Sequence, residues 1–197
     1  MSNTLPRPPA TWRNRYLLMR HGHSQANQQG LIISHPDNGL DAFGLSTLGQ
    51  AQLDEVIAEW PWPAPTHILH SDFLRTTETA ERVARHFGLA MAPELRLRER
   101  GFGSLERQAD SHYPRVWALD AEDPQHGEYG VESVASVAAR LQAVIDELEE
   151  AHRDATILLV SHGDPLQILL TALGGRALSQ HRQQTPLMPA SVTQVGR

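Results

Sequence analysis

The sequence predicts an α/β fold, a three-layer α/β/α sandwich around a mainly parallel, mixed central sheet. Short apolar runs at Arg15–Met19, Thr66–His70 and Thr156–Val160 have the length of buried strands. Stretches of helical apolar spacing lie between them, the alternation that builds a parallel sheet covered on both faces. The chain has 197 residues, which suits one domain with a full core, expected over residues 15–197.

Residues 1–14 are polar, with prolines at 6, 8 and 9. They read as a flexible N-terminal arm without the apolar centre of a signal peptide. The first strand, Arg15–Met19, runs into Arg20-His21-Gly22. Thr47 with Gln50 forms a capping-box pattern. The helix behind it should run to about Trp60, where Pro61, Pro63 and Pro65 stop it. The strand Thr66–His70 leads through Ser71-Asp72-Phe73-Leu74 to Arg75 at the start of a helix. That helix places Ala80, Val83, Ala84 and Phe87 on one face, with Gly88 as the residue that closes its end. Ala90–Pro93 is a short strand candidate. Residues 107–130 lack a clean period and read as an insertion holding a short helix near Tyr113–Leu119. The longest helix is expected from Val131 to His152, with Val134, Val137, Ala138, Leu141, Val144, Ile145 and Leu148 as its buried stripe. Thr156–Val160 is the next strand, ending in Ser161-His162-Gly163. Asp164 fits an N-cap and Pro165 the first helical position of a helix that ends at Gly174-Gly175. Ser191–Val195 is the last strand.

Composition narrows the chemistry. Seventeen basic and 23 acidic side chains give a formal charge of -6, which argues against a general nucleic-acid binder. The absence of cysteine excludes disulfides, thiolate metal sites and cysteine-based phosphatase chemistry. No apolar run approaches the roughly 20 residues that span a membrane. A cytoplasmic protein is expected. Eleven histidines raise the question of a metal, with His21/His23 and His67/His70 as short pairs. No spacing of the His-Glu-x-x-His kind appears, so no metal and no organic cofactor is expected.

The strand ends carry the chemistry. Ligands of open α/β sheets bind beyond the carboxyl ends of the strands. Arg20, His21, Arg75 and His162 all fall there. Gly22 lets the backbone turn sharply and approach a ligand. A cation beside an imidazole suits phosphate, because arginine grips the oxygens and histidine can attack phosphorus.

Arg20-His21-Gly22-His23-Ser24-Gln25-Ala26-Asn27 resembles the signature of the histidine phosphatase superfamily, the phosphoglycerate-mutase-like proteins. Later segments match in order: Leu45-Ser46-Thr47-Leu48-Gly49-Gln50-Ala51-Gln52, Ser71-Asp72-Phe73-Leu74-Arg75-Thr76 with Thr79-Ala80, Leu97-Arg98-Glu99-Arg100-Gly101-Phe102-Gly103, Gly130-Val131-Glu132-Ser133, and Ser161-His162-Gly163. The resemblance implies a phosphoglycerate-mutase-like fold and a phosphate monoester hydrolase that works through a phosphohistidine. It makes His21 the nucleophile and Arg20, Arg75 and His162 the phosphate clamp, with His162 donating in charged form. Asn27 and Ser24 become phosphate contacts, though either also fits a helix cap, and Gly163 completes the substrate-binding set. Glu99 becomes the proton donor to the leaving oxygen and then the base for water. Such a role needs a raised pKa, so arginines 96, 98 and 100 are expected to face solvent. Asp164 is the rival acid. Residues 107–130 would form a lid. The expected partner is a small phosphorylated substrate, with no nucleic acid or membrane; a homodimer is left open. His23, Leu105 and Arg107 depart from the family pattern and bear on substrate identity. The rival functions are a phosphoglycerate-type phosphomutase and a catalytically inactive phosphate-ester- or protein-binding module.

Overall fold

The computed structural model describes residues 11–197. In chain order it has strand β1 (Arg15–Arg20), helices α1 (Gln25–Gln29), α2 (Pro36–Gly39) and α3 (Thr47–Ala58), strand β2 (His67–His70), helix α4 (Leu74–Phe87), strand β3 (Ala92–Pro93), helices α5 (Tyr113–Glu122) and α6 (Val134–Ala151), strand β4 (Thr156–Ser161), helix α7 (Gly163–Leu173) and strand β5 (Val192–Gly196). The sheet order is β3-β2-β4-β1-β5. The pairs among β1 to β4 are parallel, and β5 joins β1 antiparallel. This is the mixed α/β architecture that the alternating pattern predicts.

Strand side chains alternate between faces, and the core divides accordingly. Tyr16 and Leu18 of β1 with Ile157 and Leu159 of β4 pack against the α6 stripe and against Leu166, Ile168 and Leu169 of α7. Leu17 and Met19 with Leu158 and Val160 face the other way, onto Leu53 of α3 and Ala80, Val83 and Ala84 of α4. Because β4 is central and covered on both sides, all six of its residues are buried. A third, smaller core of Ile32, Phe102, Leu105, Val116 and Val131 lies under α5.

Three helix starts differ from the sequence expectation. Helix α6, expected from Val131, begins at Val134 behind a Ser133 cap whose hydroxyl accepts from the Ser136 N–H at 3.1 Å. The cap of α3 is Ser46, not Thr47; its hydroxyl accepts from the Gly49 N–H, and its own N–H bonds to the His23 carbonyl at 3.0 Å. That bond holds Ser46 extended, so the helix begins at the next residue. Helix α7 starts two residues early, with His162 at the cap and Gly163 as its first residue. Asp164 is thus inside the first turn, and its carboxylate bonds to side chains rather than capping. Residues 1–10 of the expected arm lie outside the described residues. The end of that arm is anchored: Asn14 is buried and donates to Glu149 Oε1 at 3.0 Å while accepting from the Ala155 N–H at 3.1 Å. Among the described residues no helix is long and apolar enough to cross a membrane.

Candidate active site

The parallel register builds the centre of the site. Arg20 of β1 pairs with Ser161 of β4, so the residues that follow, His21 and His162, leave the sheet side by side. The His21 N–H bonds to the Ser161 carbonyl at 3.0 Å, and the two imidazole rings meet edge-on with centroids 5.2 Å apart. From the other flank β2 delivers Ser71, whose N–H bonds to the Val160 carbonyl at 2.9 Å. One turn further, α4 projects Arg75 inward, where it is 3 % exposed.

His21 is buried, and its Nδ1 lies 2.7 Å from the Gly22 carbonyl oxygen. That contact requires the proton on Nδ1 and leaves the lone pair on Nε2. Arg75 Nε donates to Nε2 at 3.2 Å. Burial, then the charges of Arg75 and Arg20, hold the His21 pKa well below the ordinary imidazole range. The folded protein therefore holds a neutral imidazole whose Nε2 lone pair accepts from Arg75.

His162 is fully buried, and its pKa is also held well below normal, first by burial and then by Arg75 and His21. The expectation that it donates in charged form is corrected for the unliganded site. A neutral ring suffices: Nε2 lies 2.9 Å from the Ser71 hydroxyl, and Nδ1, without a hydrogen-bond partner among the described residues, can carry the proton. Arg20 donates from Nη1 to the Leu187 carbonyl at 2.6 Å, while its buried Nε has no partner among the described residues. Arg75 donates from Nη2 to the Ile33 carbonyl at 2.9 Å, and its Nη1 is likewise unpaired.

Glu99 sits between these groups. Its Oε2 is 3.6 Å from Arg75 Nη2 and 3.6 Å from His162 Nδ1, and its Oε1 accepts from the Arg100 N–H at 2.9 Å. Burial pushes its pKa up to about 7 against the opposing pull of Arg75, with Asp164 adding to the rise. The segment that carries it is clamped from behind. Arg140 of α6 donates to the Arg98 carbonyl at 3.0 Å and the Glu99 carbonyl at 3.2 Å, and the Ser161 hydroxyl donates to the Leu97 carbonyl at 2.7 Å.

The arginines around Glu99 do not all face solvent. Arg96 and Arg98 are partly exposed and pair with Glu94 and Asp72. Arg100 is completely buried. It grips both Asp120 oxygens at 2.7 and 2.8 Å, reaches Asp164 at 3.2 Å and donates to the Glu132 carbonyl at 2.7 Å. Two carboxylates inside the protein require a cation there. Burial raises the Asp164 pKa, but His181, 3.6 Å away, and the charges of Arg100 and Arg182 outweigh it and hold Asp164 well below the usual carboxylate range. Arg100→Leu is expected to lower stability by about 3–5 kcal/mol, since it strands two buried acids. A urea midpoint unchanged from the parent's would show that the cluster contributes no stability.

A cavity of about 210 Å³ opens on these groups. Arg20, His21, Ser24, Asn27, Arg75, Glu99 and Gly163 line it, so seven of the eight expected site residues share one pocket. The eighth, His162, is behind it against Glu99 and His21. Ser24 and Asn27 prove to be a helix cap as well: each side chain bonds to the other's backbone N–H in the capping box of α1. Gly163 permits close approach, because a Cβ there would stand 3.2 Å from Arg20 Nε. Asp110, Tyr113 and Trp117 from the expected lid segment also line the cavity, as do Gln167 and Arg182. Sequence reasoning missed Ser71, Arg140 and Arg182, and placed Trp117 only within the expected lid. For Ser71 the signal was its place at a strand end; Arg140 and Arg182 had none outside the fold.

A buried neutral imidazole, cations beside it and a carboxyl of raised pKa are the groups that phosphoryl transfer through a histidine would use. The chain matches the histidine phosphatase superfamily (branch 1) over residues 16–197 and belongs to that superfamily. It is 34% identical over 163 residues to a probable phosphoglycerate mutase of Yersinia pestis (strain Pestoides F), covering 80% of this chain and 74% of that protein. The native structure of a mycobacterial glucosyl-3-phosphoglycerate phosphatase superposes with TM-score 0.77 at 26% identity, covering 91% of this chain and 88% of that one. A phosphoserine phosphatase mutant from Entamoeba histolytica shares the fold, with TM-score 0.75 at 20% identity over 92% of this chain and 90% of that one.

Proposed function

We propose that this protein is a phosphate monoester hydrolase that works through a phosphohistidine on His21, without a metal or organic cofactor. The observation that carries the reading is the set of buried donors without a partner among the described residues, Arg20 Nε, Arg75 Nη1 and His162 Nδ1, on the three residues that flank His21. Unpaired buried donors are costly, and a phosphate oxygen would satisfy each.

In the first step His21 Nε2 attacks phosphorus, the P–O bond to the leaving group breaks, and Glu99 gives its proton to the departing oxygen. Arg75 releases Nε2 and, with Arg20 and His162, takes the charge that builds on the equatorial oxygens. In the second step Glu99 removes a proton from water, the water oxygen attacks phosphorus, and His21 and phosphate are freed.

The mutase reading draws support from the Yersinia relative. The structure of the mycobacterial phosphatase supports hydrolysis. Residues 107–130 are rich in Asp and Glu, a composition that would repel a substrate's second anionic group, but those acids are not what lines this pocket. Of the acids in residues 107–130, Asp110 lines the cavity, Asp120 turns inward to Arg100, and Glu122, Asp123 and Glu128 face solvent. Hydrolysis is preferred because the part of residues 107–130 that lines the cavity is Asp110 with two rings, Tyr113 and Trp117. That is little cover to keep water from a phosphohistidine. The expected result is release of phosphate from p-nitrophenyl phosphate that persists in EDTA, with no appreciable exchange between 2- and 3-phosphoglycerate when 2,3-bisphosphoglycerate is added. Isomerisation faster than phosphate release would establish the mutase, and no phosphoryl transfer in either assay would favour a binding module.

A further inference from the structure

We infer that Arg182 is a specificity residue, and that the substrate carries a carboxylate on the group that leaves phosphorus. The inference rests on the phosphatase reading and adds the substrate class, a small phosphorylated hydroxy acid or amino acid.

Arg182 lines the same cavity as His21 and Arg75, with its side chain 22% exposed. Its plane is fixed. The guanidinium carbon lies 3.7 Å from the centre of the Trp117 ring, and Nη1 is tied to Gln167 Oε1 and lies 3.4 Å from Asp164 Oδ1. Both of these bonds use Nη1, so among the described residues Nε and Nη2 have no hydrogen-bond partner. That edge is the fork that takes a carboxylate with two parallel bonds. Elsewhere in this protein Arg98 spends the same edge on Asp72, with Nε and Nη2 at 2.8 and 2.6 Å.

The neighbouring acids do not need this edge. Asp120 is held by Arg100 and His126. Asp164 is shared with Arg100 at 3.2 Å and His181 at 3.6 Å. Besides Glu99, which faces Arg75 and His162, the cavity wall holds Asp110, exposed over Gly30 at the end of α1. An aromatic leaving group fits less well, because the Trp117 ring already stacks on Tyr113, within 6° of parallel, and on Arg182. The cavity of about 210 Å³ is below the roughly 300–1,000 Å³ of pockets for drug-sized ligands, which favours a leaving group of a few carbons.

The test compares 3-phosphoglycerate with glycerol 3-phosphate, which lacks the carboxylate. In the parent enzyme kcat/KM should favour 3-phosphoglycerate by about tenfold to a hundredfold, the worth of a charge-assisted bond. Arg182→Gln should erase most of that ratio, and Arg182→Lys should restore part of it. A parent that prefers glycerol 3-phosphate or a nucleoside monophosphate overturns the inference without any variant, as does a ratio unchanged by Arg182→Gln. If no ester releases phosphate, the phosphatase reading fails separately. Calorimetric binding of the two esters to the parent then decides the carboxylate question: equal affinities refute it, and tighter 3-phosphoglycerate upholds it.

Discussion

His21→Ala should release phosphate at least about 10³-fold more slowly than the parent and should form no covalent phosphoenzyme. Brief reaction of the parent with labelled substrate, quenched without acid, should trap a phosphoryl group that is stable to base and lost in acid, as expected of a phosphohistidine. The geometry specifies the atom. With Nδ1 donating to the Gly22 carbonyl at 2.7 Å, the bond to phosphorus forms at Nε2. The alternative nucleophile, His162, has its Nε2 against the Ser71 hydroxyl and its Nδ1 facing Glu99. His162→Ala should therefore be severely slowed yet still accept label, because it lowers charge on the phosphate without bonding to phosphorus. Full turnover by His21→Ala would end the mechanism. Label on His162 in that variant would exchange the two roles.

The residues that form this pair were legible because they stand where strands stop. Arg20-His21-Gly22 and Ser161-His162-Gly163 each follow an apolar run, and a parallel sheet carries such ends to one edge. The strand and helix order followed from the same periodicity, with ends shifted by one to three residues, as where the His23 carbonyl fixes Ser46. The buried charges were not legible. Arg100 is one arginine in Arg-Leu-Arg-Glu-Arg, and nothing local separates it from Arg96 and Arg98. Its burial depends on Asp120 from α5 and Asp164 from α7, which only the folded chain brings together. Arg182 and Trp117 are similar: neither belongs to a motif, and their meaning comes from contact at 3.7 Å. The neutral state of His162 was missed because the field of Arg75 and the depth of burial are properties of the assembled site.

Glu99→Gln should slow hydrolysis of alkyl phosphates by about 10²–10³-fold while costing p-nitrophenyl phosphate less than about tenfold. A nitrophenolate departs well without a proton, and an alkoxide does not. In the parent the acid form must be present for the alkyl substrates, so their kcat/KM should fall as pH rises past the Glu99 pKa of about 7. This alkaline limb should be absent in Glu99→Gln. The same carboxyl predicts a stability effect that does not depend on catalysis. In the unfolded chain a glutamate loses its proton near pH 4.3, whereas folded Glu99 keeps it to about 7. Between those values the native state binds the extra proton, so this residue makes the parent lose stability as pH rises. Glu99→Gln escapes that loss and should gain stability relative to the parent between pH 5 and pH 8. Asp164 gives the opposite sign, since Arg100, Arg182 and His181 hold it ionised; Asp164→Asn should lose stability at neutral pH and slow both substrate types alike. Were the selective loss on alkyl phosphates to appear in Asp164→Asn and not in Glu99→Gln, the proton would come from Asp164, and the raised pKa of Glu99 would reflect its burial alone.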